Sequence, residues 1–276
     1  MKTLDNFRIE TKAGVSYDMA ADFNVLVRSF SVSSPRPDIE TEKISGQHGD
    51  VRFGKTWGNR RITAVCSIFA VDSYDISLLR SEVFKALMNV DEFYVICDAD
   101  PGKRWLVEVG NEWAPERSGT YGEFTLEFVS HKPFAESIGT SLDPRTFDAE
   151  LWQVSQGLAV DASDYTQTTT AFSIYNAGDT TVDPRQMPLK ITYKGAATNV
   201  KIANNTTGEA WQYTGGATTA SDTILLDGIR ATKNGLSIFR DSNRKLITLA
   251  PGWNDFVVTG ASGAVTISFD FRFYTL

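Results

Sequence analysis

Short runs of alternating apolar and polar residues dominate the chain. In Val25-Leu26-Val27-Arg28-Ser29-Phe30-Ser31-Val32 and in Phe124-Thr125-Leu126-Glu127-Phe128 the alternation has a period of two, which places successive side chains on opposite faces of a half-buried strand. The run from Arg61 to Val71 is apolar on both faces, as expected of a central strand. Phe93–Cys97 and Arg104–Val109 flank Asp98-Ala99-Asp100-Pro101-Gly102, whose composition predicts the turn of a hairpin. One segment has a different period. Ile76, Leu79, Val83 and Leu87 recur at steps of three and four, predicting an amphipathic helix from about Ile76 to Met88 that packs on a sheet. Asp72, Ser73 or Asp75 can cap its start, and Asn89 is a plausible stop.

The stretch 33–59 has no sustained alternation and is punctuated by Pro35, Pro37, Gly46, Gly49, Gly54 and Gly58. It is longer than loops in compact domains usually are. It nevertheless carries Ile39, Ile44, Val51, Phe53 and Trp57, apolar groups that need a partner surface. Two readings remain open: a loop folded back on its own domain, or an arm that grips another subunit.

The later part of the chain reads as short strands at regular spacing, Ala171–Tyr175, Leu189–Tyr193, Val200–Ile202, Thr223–Leu226 and Leu246–Leu249. Asp227-Gly228 and Asn234-Gly235 between them are tight-turn signals. The cleanest strand is the last, with Val265, Ile267, Phe269, Phe271 and Phe273 on one face and Thr266, Ser268, Asp270, Arg272 and Tyr274 on the other. This pattern predicts a second, all-β domain of sandwich or jelly-roll type. Composition separates the halves: residues 1–135 hold ten Glu, whereas only Glu136, Glu150 and Glu209 follow. The division expected is therefore a domain over 1–135, a linker and edge segment over 136–170, and a second domain over 171–276.

With 42% hydrophobic residues the 276-residue chain can bury sizeable cores, and its net charge of -7 without a basic run argues against tight binding of duplex nucleic acid. No stretch is long and apolar enough for a membrane span, and the amino-terminal residues lack the apolar core of a signal peptide, so synthesis in a cytoplasm is expected. Cys66 and Cys97 sit in strand-like runs and are expected reduced and buried. Catalytic constellations are missing: there is no phosphate-binding glycine loop, no nucleophile elbow, and only His48 and His131 to serve a base or a metal. Asp98–Gly102 opens like a calcium loop but has Lys103 and Val109 where Gly and Glu are required. No enzyme activity, cofactor or metal is expected. Trp211, Tyr213 and Trp253 are the candidates for stacking on a sugar ring, although such residues in a sandwich more often fill the core.

The order of these features resembles a known family, the distal tail proteins of siphophages and related prophages. In the first part the resemblance lies in Gly46-Gln47-His48-Gly49, Arg60-Arg61-Ile62-Thr63 with the central strand, the Tyr74–Met88 helix and the Phe93–Val109 hairpin. In the second it lies in Ile174-Tyr175-Asn176-Ala177-Gly178-Asp179, Pro184, Pro188-Leu189-Lys190-Ile191 and Leu249-Ala250-Pro251-Gly252-Trp253-Asn254. The resemblance implies a mainly β protein, with an N-terminal β-sandwich bearing one packed helix, similar to the tail-tube fold, and a C-terminal galectin-like sandwich. It implies a homo-hexameric ring in which 33–59 is a belt that reaches a neighbour through Ile39, Ile44, Val51, Phe53 and Trp57. The ring would sit at the virion tail tip, joining the tail tube protein to a tail-associated hub protein, with DNA passing through the channel without tight binding. Some members carry a long insertion in the second domain that holds receptor-binding proteins; here the connections after Phe172 are short. The alternative is a carbohydrate-binding module or a glycan-acting cell-wall protein.

Overall fold

In the computed structural model, residues 2–88, 91–146, 151–153, 156–158 and 164–276 are described. The helix stop expected at Asn89 and parts of the 136–170 linker lie outside them. The chain divides into two units, Met1–Ala135 with Leu276, and Glu136–Thr275.

The first unit holds β1 (Phe7–Thr11), β2 (Ser16–Asp18), α1 (Met19–Phe23), β3 (Val25–Val32), β4 (Pro37–Glu42), β5 (Val51–Trp57), β6 (Arg60–Phe69), α2 (Asp75–Met88), β7 (Phe93–Cys97), β8 (Lys103–Val109), β9 (Glu116–Ser118) and β10 (Tyr121–Ser130). Antiparallel pairing runs in the order β2-β1-β7-β8-β10-β6-β3, with β9 added to β10. The path closes over one core. Phe7 of β1 meets Phe30 of β3 and Phe128 of β10, with both pairs of ring centroids 5.6 Å apart. The alternation along β6 places Ile62, Ala64, Cys66 and Ile68 in that core, and the strand is central, flanked by β10 and β3. The helix α2 buries Ile76, Val83, Ala86 and Leu87, close to the expected face. Its cap is Asp72, whose Oδ1 accepts from the Tyr74 and Asp75 amides at 2.7 and 2.9 Å. Those bonds hold the Asp72 carboxyl below its ordinary pKa. The short helix α1 gave no periodic signal; it is made by its ends, with Asp18 accepting from the Ala20 and Ala21 amides and Asn24 leaving at φ 51°.

The chain continues through β11 (Ala135–Ser137) to the second unit, with β12 (Thr166–Gln167), β13 (Ala171–Asn176), β14 (Leu189–Asn204), β15 (Glu209–Gln212), β16 (Ala217–Thr218), β17 (Thr223–Asp227), β18 (Arg230–Lys233), β19 (Leu236–Ser237), β20 (Gly252–Phe271) and β21 (Tyr274–Thr275). The first residues of the expected linker and edge segment form an edge. The Ser137 and Ser141 amides donate to Phe273 and Phe271, and the two hydroxyls accept from the Phe273 and Phe271 amides in return. This edge is built by serine side chains, so it carries no alternation to read.

Two long strands organise this unit. The runs Leu189–Tyr193 and Val200–Ile202, expected as separate strands, are one strand, β14, which pairs with β20 along its length. The pairing shifts register around Gly195–Ala197 and Ala197–Lys201, where Gly195 (φ 152°) and Asn199 (φ 51°) bend the strand without ending it. Gly260 (φ 85°) lies in the same stretch of β20. Beyond the bend each strand folds back over itself. Phe256 and Phe269 lie thirteen positions apart on β20, yet their ring centroids are 4.8 Å apart. A Cβ on Gly260 would sit 2.4 Å from the Thr198 carbonyl oxygen. Gly260→Ala is therefore expected to destabilise the unit by roughly 2–4 kcal/mol, since the left-handed backbone disfavours a side chain and the backbone oxygen cannot rotate away. An unchanged urea midpoint for this variant would contradict the account of the bend.

The turns follow the chemistry of their residues. Asn234 (φ 50°) and Gly235 (φ 81°) form the two-residue turn between β18 and β19. The loop after β17 is Gly228–Ile229, with positive φ at Gly228 alone, where Asp227-Gly228 had been expected to form it. Leu246–Leu249 is not a strand. It makes one bridge, Val182 with Leu249, because its backbone groups are taken by side chains instead. Asn204 Nδ2 donates to Thr248 O at 2.8 Å, Asn176 Nδ2 to Leu249 O at 3.2 Å, and Glu209 Oε2 accepts from the Thr248 amide at 2.7 Å. Asn254 is fully buried beside them. Its Oδ1 accepts from the Ala250 amide and Asn204 Nδ2, and its Nδ2 donates to the Ala250 and Gly252 carbonyls.

Candidate functional site

The segment 33–59 forms a two-stranded hairpin of its own. Strands β4 and β5 pair only with each other, from Pro37 opposite Trp57 to Glu42 opposite Val51. No residue of either strand is buried. The fold-back reading of this segment is thus not the one adopted. Ile39 is 54% exposed and Phe53 65%; Ile44, Val51 and Trp57 are exposed as well.

The pairing explains why no clean alternation was visible. Glu40 faces Gly54 and Thr41 faces Arg52, so Phe53 is an extra residue on β5. Before this bulge, Ile39 pairs with Lys55, and Pro37 with Trp57, all on one face. After it, Val51 shares the opposite face with Glu42. Apolar groups consequently emerge on both faces of the hairpin. The Lys55 ammonium lies 3.8 Å from the Trp57 ring centroid and covers part of that ring.

The base of the hairpin is pinned to the first unit. The Gly58 amide donates to Arg36 O at 2.8 Å and the Ser33 amide to Arg61 O at 2.9 Å. Arg60 donates from Nε to Ser33 O and from Nη1 to Pro133 O, while its guanidinium sits 4.8 Å from the Trp105 ring centroid. Burial lowers its pKa, and it remains charged at neutral pH. An isolated two-stranded hairpin is at best marginally stable in water. One that exposes apolar groups on both faces but is anchored firmly at its base is built to be covered by something else.

The remaining candidate groups fall elsewhere. Trp211 and Tyr213 are 3% and 6% exposed, so neither offers a ring face to a sugar; both were expected as possible glycan contacts, and burial removes that role. Their alternation with polar neighbours on β15 looked the same as that of an exposed pair. Trp253 is half exposed, 5.0 Å from the Tyr175 ring. Asp98 is occupied by Lys2 at 3.0 Å and Asn6 Nδ2 at 2.9 Å. Among the described residues, no group of three His, Cys, Asp or Glu side chains is placed to hold a metal ion. His131 contacts Glu108 at 2.8 Å on the surface. Cys66 is buried, which pushes its thiol up to about 12, and burial raises Cys97 as well. Thiolate is the nucleophile, so neither cysteine is expected to react with a disulfide reagent at about pH 8 until the protein is unfolded; rapid release from the native chain would disprove this. No helix among the described residues is long and apolar enough to cross a membrane.

Residues 17–130 match the family model of the phage tail protein RIFT-related domain. The whole chain is similar in fold to the Dit protein (gp 19.1) of phage SPP1, described as a paradigm of the hub adsorption apparatus in phages infecting Gram-positive bacteria. The superposition has a TM-score of 0.69 at 14% identity and covers 97% of this chain and 99% of that one. A chain of the phage p2 baseplate, in its activated conformation with Sr, aligns over 97% of both chains at 9% identity with a TM-score of 0.49, too low to argue from. No curated protein matches the sequence.

Proposed function

We propose that this protein is a non-enzymatic structural component of the phage tail tip, in which six copies close into a ring that joins the tail tube to the tip or baseplate proteins. The observation that carries the proposal is the hairpin Pro37–Trp57, anchored by Arg60 and left exposed by the described residues of its own chain. In a ring of identical contacts each hairpin lies on the next subunit, with Ile39, Val51, Phe53 and Trp57 as its apolar contacts and Ile44 near the tip. Two apolar faces suit insertion between surfaces, and the free strand edges suit pairing with a neighbour's sheet. The second unit, in this reading a galectin-like sandwich, stands outside the ring. A hub protein docks on the tip side, and the acidic chain lets DNA pass without adhering.

The test is the mass of the intact protein by light scattering, with negative-stain images. About six or twelve times 30.5 kDa, with rings, is expected. A monomer even in the presence of the tail tube and hub proteins would overturn the ring. The glycan-binding alternative now rests on Trp253 alone; a sugar-dependent change in tryptophan fluorescence that is lost in Trp253→Ala would revive it.

A further inference from the structure

The second unit contains a slot between the Gly228–Ile229 turn and the loop 239–247. Its floor is apolar and belongs to the core, with Ile191, Trp211, Leu226 and Ile247 all buried. Its lips are Ile229 and Phe239, apolar side chains 63% and 47% exposed. Its rim carries Arg230, Arg244 and Lys245, all exposed, and no carboxylate lines it. None of these three cations makes an ion pair among the described residues, in a chain whose net charge is -7.

The rim is held in place. Asn243 ties the loop to β15: its amide donates to Gln212 O, its Oδ1 accepts from the Gln212 amide at 3.1 Å, and its Nδ2 donates to Ala210 O at 2.8 Å. Arg244 adopts φ 58°, a conformation disfavoured for a long side chain, with its amide donating to Ser242 Oγ. Its guanidinium comes to 5.5 Å from the Phe239 ring centroid, over the lip of the slot. Three positive charges without an ion pair among the described residues thus stand around an apolar entrance, two of them on a loop whose backbone is tied down.

We infer that this slot is a docking site for an acidic peptide segment of another protein that inserts one apolar side chain between Ile229 and Phe239. The chemistry selects this occupant. The cavity behind the entrance is about 30 Å³, room for about one or two water-sized groups, so a side-chain tip enters and a sugar ring or nucleobase does not. Carboxylates flanking that side chain meet Arg230, Arg244 and Lys245, which are exposed to water when the slot is empty; when it is filled the two guanidiniums gain bidentate partners and the Lys245 ammonium a single ion pair. The site lies within one unit and does not depend on ring closure, so it can stand or fall separately from the proposed assembly.

The experiment uses the full chain and a fluorescein-labelled peptide of sequence Asp-Asp-Glu-Leu-Asp-Asp, with Leu replaced by Ser as the control. Binding by anisotropy is expected to weaken about tenfold or more for the Ser peptide, as the loss of one buried leucine tip implies. A similar loss is expected in Arg244→Glu combined with Lys245→Glu, and binding should fall steeply with added salt. Because the peptide exchange is made on the unaltered protein, it reads the slot even if the double variant folds poorly. No binding at about millimolar peptide, or equal binding of the Leu and Ser peptides, would overturn the inference. So would equally tight binding of single-stranded DNA, which would make the rim a general anion patch.

Discussion

Excising residues 37–57 and joining Arg36 to Gly58 through an Asn-Gly turn is expected to leave a folded protein of about 28 kDa that no longer assembles. The excision is designed around the hairpin's base. Arg36 O already accepts from the Gly58 amide at 2.8 Å, so the cut ends are adjacent and a two-residue turn spans them. No core residue is lost, because none of β4 or β5 is buried, and the Arg60 bonds to Ser33 and Pro133 remain. Thermal unfolding of the excised chain should stay cooperative, with a midpoint close to that of the intact monomer, while light scattering reports complete loss of the higher mass. Rings that survive the excision would show that another surface closes them. A chain that no longer folds would show that the hairpin supports its own unit.

The second large effect is expected from Asn254→Leu. The replacement has a similar volume, but it leaves the half-buried Ala250 amide and the Ala250 and Gly252 carbonyls without this partner, and it removes one of the two acceptors of the Asn204 side-chain amide. At roughly 1–3 kcal/mol for each buried group left unpaired, partly relieved by local shifts, the loss comes to roughly 4 kcal/mol. In a unit of this size that lowers the midpoint by about 10 °C. Calorimetry of the whole chain should show the drop in the transition of the second unit. A shift below about 2 °C would mean that water replaces the amide and that the network is not dry.

These two sites mark the limits of what the sequence made legible. The helix α2 and the last strand were readable because each buries one face at a regular period: Ile76, Val83 and Leu87 in the first, Val265 to Phe273 in the second. Even there the alternation ends locally. Tyr274, expected opposite Phe273, is buried too, because the strand breaks after Phe271 and resumes at Tyr274. The hairpin betrayed itself only by apolar residues lacking a partner. Its strand pairing was hidden by the bulge at Phe53, which exchanges the two faces midway. Asn176 and Asn254 read as turn chemistry and Asn204 gave no signal, although the side chains of all three replace backbone pairing for 248–252; nothing in a linear sequence distinguishes an asparagine at a surface turn from one that substitutes for a strand. Trp211 carried the same ambiguity, since a tryptophan between polar neighbours can face water or the core.

The bend shared by β14 and β20 bears on how the second unit transmits load. Both strands fold back over themselves at the bend, so the two layers formed in this way are stitched by covalent chain at Gly195–Ala197 and Gly260. Packed layers that meet only through side chains can slide past one another; these cannot without breaking the ladder on both sides of the stitch. A pull applied at one layer is therefore carried to the other by covalent chain as well as by side-chain contacts. The β4–β5 hairpin of the first unit is the opposite case: it is held at one end only, so it can swing about its base without breaking a ladder of its own unit.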